Sequence, residues 1–233
     1  MKLKVVSLSF LVLLNANAQF KDSTNKQFLK RMITPTSILA VSLAAYNQNF
    51  KEKQISFHDK NLRSFKTKLD DYLNYAPAAT FVILSLAEKE NRGERLIRGT
   101  LAISAANGTS WILKRIINEE RPDKSEKFSF PSGHTTNAFA GAAVLNREFS
   151  NKYPLISVLG FAAATSTGIL RVANNKHWIT DVIAGAALGI GATEVTYFIY
   201  PKLKKILHIK TNKNAFLPYY NGQSFGIAST ISL

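Results

Sequence analysis

Apolar and polar positions fall in blocks along this chain rather than alternating. Apolar segments occupy 72–87, 99–113, 135–146, 154–170 and 181–200. Charged or polar hinges separate them, at Glu88 to Arg98, at Arg147 to Tyr153 and at two loops taken up below. The segments are rich in Ala, Gly and Ser, which lets helices approach closely. No β alternation precedes the tail, so the pattern predicts an all-α fold, a helical bundle. Upstream, residues 19–32 read as a polar, basic lead-in. Pro35 suits a first helical turn, and Ile38 to Tyr46 reads as a short apolar helix. From Gln48 to Asp71 the chain is charged, with Phe50, Ile55, Phe57, Leu62, Phe65 and Leu69 at loosely helical intervals. That is a surface helix with one packed and one solvated face. In the tail, Phe225, Ile227, Ile231 and Leu233 share one parity, which predicts a short C-terminal β-strand whose partner the pattern does not identify.

The N-terminus reads differently. Met1 to Lys4 is a short basic start, Val5 to Leu14 is an apolar run of ten residues, and Ala16-Asn17-Ala18 fits a small-x-small cleavage site. Ten apolar residues fall short of the about 20 that span a bilayer, so residues 1–18 are expected to be a signal peptide. The expected organisation is then 1–18 signal peptide, 19–70 polar and basic region with short helices, 71–201 helical bundle, and 202–233 basic linker and strand-like tail. Most of the apolar segments are at or below spanning length. If the N-terminus is exported and the five segments from 72 onward all cross, the polar loops that carry candidate chemistry share the outer side. The expectation is an exported protein on the periplasmic side of the envelope, associated with the membrane.

Composition narrows the chemistry. The chain of 233 residues carries 30 Lys and Arg against 15 Asp and Glu, a net charge of +15, which favours anionic partners. It has no cysteine, which excludes disulfides, thiolate metal sites and a cysteine nucleophile.

Three polar islands interrupt the apolar sequence. The first is Lys114-x6-Arg121-Pro122, the second Pro131-Ser132-Gly133-His134, the third Arg171-x5-His177-x3-Asp181. Lys114 and Arg121 are about two helical turns apart, so both point one way if the helix continues. Arginine makes two parallel charge-assisted bonds to a phosphate, and lysine adds a point charge. In the second island Ser132 is placed to cap a helix, and Gly133 removes bulk where first-turn N–H groups meet an anion. An ordinary N-cap with an incidental histidine fits that tetrapeptide equally well. In the third, four-residue spacing sets His177 and Asp181 on one helix face, where the carboxylate fixes the imidazole tautomer. Alone, such a pair reads as a surface ion pair; it is the conjunction of three islands that counts. His58 and His208 have no carboxylate at a matching spacing and are expected to face solvent. Trp178 is expected to pack.

In this order the islands resemble the type 2 phosphatidic acid phosphatase family, which shares its site with vanadium haloperoxidases. The family pattern is Lys-x6-Arg-Pro, Pro-Ser-Gly-His and Ser-Arg-x5-His-x3-Asp, and the match covers residues 114–181. One position departs: Leu170 stands where the family has serine before the arginine, which removes a hydroxyl near the phosphate site. The resemblance implies the family's helical bundle. It also implies that His177 attacks phosphorus with Asp181 orienting it, and that His134 protonates the leaving oxygen and then activates water. Lys114, Arg121, Arg171 and the amides at Ser132 and Gly133 would neutralise the phosphoryl oxygens. Three cations do the work of a magnesium ion, so no metal or other cofactor is expected. The implied partners are a phosphorylated lipid or small phosphate ester and a membrane surface, not nucleic acid. Two rival readings use the same anion pocket. One is a vanadate-dependent haloperoxidase, against which the short chain argues; the other is a non-catalytic phosphate- or lipid-binding envelope protein.

Overall fold

The computed structural model describes residues 23–88, 90–206, 215–220 and 225–230. The expected signal peptide at 1–18, together with His208 and residues 231–233, lies outside the described residues. Eight helices are described: α1 Ser23–Ala44, α2 Gln48–Asn61, α3 Leu69–Leu73, α4 Ala76–Ala87, α5 Arg92–Ile117, α6 Gly133–Phe149, α7 Pro154–Ala173 and α8 Ile179–Ile206. The all-α bundle is as the blocks of apolar sequence predict. The tail strand forms too, as β2 Phe225–Thr230, and its partner is β1 Ala215–Tyr220, antiparallel with Ala215 opposite Thr230.

Helix α6 is the axis of the bundle. Its sequence of small residues has Ala138, Ala140, Ala142, Val144 and Leu145 fully buried. With small residues at many of its positions, such a helix can be surrounded, and α4, α5, α7 and α8 all pack on it. Phe81 of α4, Ala102 of α5, Phe149 and Tyr197 close one apolar cluster around Val144 and Leu145. Two glycines set how α8 lies on α6. A Cβ at Gly185 would stand 2.7 Å from the Ser132 carbonyl oxygen, and one at Gly189 2.6 Å from that of Thr136. Only backbone fits there, so α8 rests directly on the turn that begins α6.

The first helix is longer than the sequence pattern predicts. α1 begins at Ser23, so most of the expected lead-in is helical, and Pro35 sits inside the helix rather than in its first turn. The Thr36 hydroxyl donates to the Met32 carbonyl at 2.7 Å, binding one carbonyl in the turn that proline disturbs. Packing then holds the helix: Phe28 stacks on Phe198 with centroids 4.2 Å apart, and at the other end the Ser42 hydroxyl donates to the Thr180 carbonyl. α1 and α8 are therefore antiparallel. Asn47 caps α2 by accepting the Phe50 N–H, and α2 turns 86° away from α1.

α7 and α8 are each long and apolar enough to cross a membrane, and the bent pair α1 and α2 passes the same test taken together. The helices outrun the apolar segments because their polar ends also continue as helix. The C-terminus of α5, the N-terminus of α6, the C-terminus of α7 and the N-terminus of α8 meet at one end of the bundle, and all three islands lie there. At the other end, Glu148 is held by Arg98 at 2.7 Å and by the Tyr197 hydroxyl at 2.6 Å.

Candidate active site

His177 lies not on a helix face but in the turn before α8, which starts at Ile179. It is almost wholly buried. Asp181 occupies the third position of α8 and its Oδ2 accepts the N–H of Trp178, the residue before the helix, at 2.9 Å. An acidic side chain reaching back in this way satisfies one of the donors a helix start leaves open. The His177 Nδ1 stands 3.5 Å from that same Oδ2, and 3.4 Å from the Ser129 hydroxyl, which itself donates to Asp181 Oδ2. Nδ1–H thus has an acceptor in Ser129 and a carboxylate behind it, so Nε2 is the nitrogen left free. The turn is fastened from α2: Gln54 donates to the His177 carbonyl at 3.1 Å and accepts the Ile179 N–H at 2.9 Å. Trp178 is buried and its indole donates to the Glu120 carbonyl, a packing role as the sequence suggested.

The basic residues converge on this ring. Burial holds His177 well below the ordinary imidazole range, and Lys114, Arg171, Arg121 and His134 depress it further, in that order. Lys114 rises from the last turn of α5 and donates to the Phe128 carbonyl at 2.6 Å. Burial first, then Arg121, lower its ammonium pKa to about 8. Arg121 does not share a helix with Lys114: α5 ends at Ile117, with Asn118 in the left-handed region. Arg121 comes instead from the following loop, tied to Glu126 by backbone and by a 3.0 Å ion pair. Arg171 is buried at the end of α7, with Nη1 2.8 Å from Asp70 and 3.7 Å from Asp71.

At the start of α6 the geometry differs from expectation in one respect. The Ser132 N–H donates to the Asp181 carbonyl at 3.0 Å, and its side chain makes no cap, accepting instead from the Thr135 hydroxyl. The Ser132 amide is thus committed to holding α6 against α8, and the first-turn amides of α6 begin at Gly133. A Cβ on Gly133 would meet the Lys114 chain at 3.5 Å, so the lysine runs across the glycine. His134 follows, one-third exposed, with Nε2 3.1 Å from Asp71 Oδ1. Burial and then Arg171 lower its pKa, and Asp71 opposes them.

Asp70, Asp71, Gln54 and Ser129 are the residues that sequence reasoning missed. Each acts across more than forty positions on a partner in an island, so no local spacing marks them. His58, expected at the surface, is buried beside Asp59.

Four helices and the loops at their ends thus bring two imidazoles, three cations and a buried carboxylate to one end of the bundle. Residues 95–205 match the sequence pattern of the PAP2 superfamily, and the chain belongs to that superfamily. It is 32% identical to the lipid A 1-phosphatase of Porphyromonas gingivalis over 166 residues, 70% of this chain and 37% of that protein. It is 34% identical to the phosphatidylglycerophosphatase B of Bacillus subtilis over 91 residues, 34% of this chain and 45% of that protein. The chain thus spans less than half the length of these two curated relatives. The fold is similar to the crystal structure of a transmembrane PAP2-type phosphatidylglycerolphosphate phosphatase from Bacillus subtilis, with a TM-score of 0.50 at 20% identity. That match covers 75% of this chain and 98% of the other.

Proposed function

We propose that this chain is a metal-independent phosphatase that removes phosphate from monoesters or diphosphates carried by lipids, through a phosphohistidine intermediate. The observation that carries the reading is a buried His177, hydrogen-bonded through Nδ1, on which Lys114, Arg171, Arg121 and His134 all act. A neutral imidazole with its other nitrogen hydrogen-bonded is a competent nucleophile, and its burial keeps it so in mildly acidic solution. In the first step Nε2 forms a bond to phosphorus as the P–O bond to the leaving group breaks, and His134 gives that oxygen its proton. In the second, His134 takes a proton from water, the hydroxide oxygen bonds to phosphorus, and the N–P bond breaks to return His177 and inorganic phosphate. Lys114, Arg121, Arg171 and the amide of Gly133 offset the charge on the phosphoryl oxygens throughout, the main demand of phosphoryl transfer. Asp181, through Ser129, keeps the proton on Nδ1.

The bundle 71–201 would be the catalytic unit, with 19–70 bracing its site end through Gln54 and Asp70. Two helices of spanning length and relatives named for lipid phosphates support a membrane-borne substrate. An exported chain with the site on the periplasmic side is the arrangement that meets such a substrate after removal of residues 1–18. The test is phosphate release by the detergent-purified full chain from a panel of lipid and soluble phosphates. Activity that survives EDTA, is blocked by vanadate and is lost in His177→Ala is expected. A purified chain that releases no phosphate from any of them refutes the reading.

A further inference from the structure

Tyr46, Lys51 and Glu119, none of them a motif residue, form one cluster where the three islands meet. Tyr46 stands in the elbow between α1 and α2, Lys51 in the first turn of α2, and Glu119 just past the end of α5. The Glu119 carboxylate accepts the Tyr46 hydroxyl on Oε2 and the Lys51 ammonium on Oε1. That ammonium also lies 4.5 Å from the centre of the Tyr46 ring and 5.1 Å from that of Trp178, so two aromatic faces hold it besides the carboxylate. The ion pair is shielded from solvent, with side-chain exposures of 13% for Lys51 and 16% for Glu119. Losing one partner of such a pair leaves the other charge buried and uncompensated.

Each member bears on one island. Glu119 lies inside the first, two residues before Arg121, and its carbonyl accepts the Ser129 N–H at 2.9 Å. Tyr46 meets Phe130, the residue before Pro131 of the second island, edge to face with centroids 6.1 Å apart. Lys51 lies against Trp178, the neighbour of His177 in the third. Beyond the cluster, the loop that carries Arg121 is clasped to the turn of His177 at three further points. The Trp178 indole donates to the Glu120 carbonyl at 2.8 Å, and Lys176 pairs with Asp123 at 2.6 Å. The Ser129 hydroxyl stands between His177 Nδ1 and Asp181. Residues 118–132 contain neither helix nor strand, so contacts of this kind set the course of the loop, and Glu119 is anchored at its start.

We propose that Tyr46, Lys51 and Glu119 are positioning residues for phosphoryl transfer. Held from the α1–α2 elbow, Glu119 fixes the start of the loop and thereby sets Arg121 against the phosphoryl group and Ser129 against His177 Nδ1. This assignment rests on the phosphatase reading above and deepens it. The three side chains act through Arg121, Ser129 and Trp178 rather than on the substrate. A fourth phosphate-binding cation is the other role open to Lys51, but its ammonium is already engaged by Glu119. Tyr46 and Lys51 lie upstream of residues 95–205, so the elbow lends the site a part that the superfamily pattern does not contain. Phosphoryl transfer depends on where its cations and nucleophile stand, and a misplacement of about 1 Å can cost about a hundredfold in rate.

The test uses the detergent-purified full chain, with p-nitrophenyl phosphate as substrate and vanadate as a probe of the anion pocket, well below each variant's thermal midpoint. Lys51→Met should lower kcat about tenfold as Ser129 and Arg121 lose their places. It should also weaken vanadate inhibition about fivefold, because Arg121 shares the loop. Lys51→Arg keeps the charge and the ring contacts, and should return kcat to within about threefold of native. Tyr46→Phe keeps the ring against Phe130 and loses one hydroxyl, so it should fold and lower kcat about threefold. Lys51→Met combined with Glu119→Gln should lose no more than Lys51→Met alone, since residues of one network do not act independently. If Lys51→Met does not fold, kcat and vanadate inhibition of Tyr46→Phe decide the matter. Variants with lowered thermal midpoints but native kcat and native vanadate inhibition overturn the inference, since the cluster then supports the fold alone. Losses that multiply in the double variant overturn it as well. Activity of the native chain separates the two claims: if it cleaves p-nitrophenyl phosphate and the variants match it, only the positioning role fails. If it releases phosphate from neither this ester nor the panel above, the phosphatase reading fails and takes this inference with it.

Discussion

Asp71→Asn is a substitution whose consequence can be worked through from the geometry. Asp71 Oδ1 stands 3.1 Å from His134 Nε2 and 3.7 Å from Arg171 Nη1. The groups acting on His134 are therefore Asp71 and Asp70, which favour its protonation, and Arg171, which with burial opposes it. A charge-assisted hydrogen bond is worth roughly 1.5–3 kcal/mol, but Asp71 is half-exposed and His134 one-third exposed, so solvent screening brings it to about 1–1.5 kcal/mol. That corresponds to about one pKa unit. The sign follows directly: His134 is already held low, and losing the carboxylate lowers it further. At pH 7 the fraction able to donate a proton then falls about tenfold. For alkyl phosphates, whose leaving oxygen needs that proton, kcat should fall about tenfold and the alkaline limb of the pH profile should move about one unit towards acid. For p-nitrophenyl phosphate, whose phenolate leaves unaided, kcat should change little. KM should stay level or fall, because Arg171 is relieved of a competing carboxylate. The assay is kcat and KM against pH for the two ester types, in native and variant protein. An unmoved alkaline limb, or an equal loss on both esters, would refute the reasoning.

The remaining expectations concern other parts of the site. His177→Ala should abolish turnover, and Asp181→Asn should cost on the order of 10³- to 10⁴-fold in kcat, by analogy with the orienting aspartate of a hydrolase triad; steady-state kinetics of folded variants decide it. Lys114, with a pKa of about 8, loses its charge as pH rises through that value, so KM should climb above pH 8. Lys114→Arg should remove that rise, and a profile that climbs equally in both proteins counts against the assignment. Gly185→Ala places a Cβ 2.7 Å from the Ser132 carbonyl and should cost about 1–3 kcal/mol. A thermal midpoint unchanged in detergent would show that α8 does not rest on the turn as described.

The sequence by itself determined the helical segments, the three islands and the family they belong to. Those features are local: apolar blocks with small residues make helices whatever surrounds them, and Lys114-x6-Arg121-Pro122, Pro131 to His134 and Arg171-x5-His177-x3-Asp181 are contiguous strings. Tertiary structure decided how the strings work together. Four-residue spacing alone predicts His177 as a helix-face partner of Asp181, yet it sits before α8, with Ser129 between its Nδ1 and the carboxylate. Arg121 reaches the site from a loop, because Asn118 ends the helix that seven-residue spacing would have continued. Pro35 is carried inside α1, because the contacts of Phe28 and Ser42 with α8 outweigh a local tendency to stop. Asp70 and Asp71 reach Arg171 and His134 across 101 and 63 positions. A periodicity extends over a few turns, while a contact between distant residues exists only once both backbones are placed, and here the small residues of α6 and α8 allow that placement.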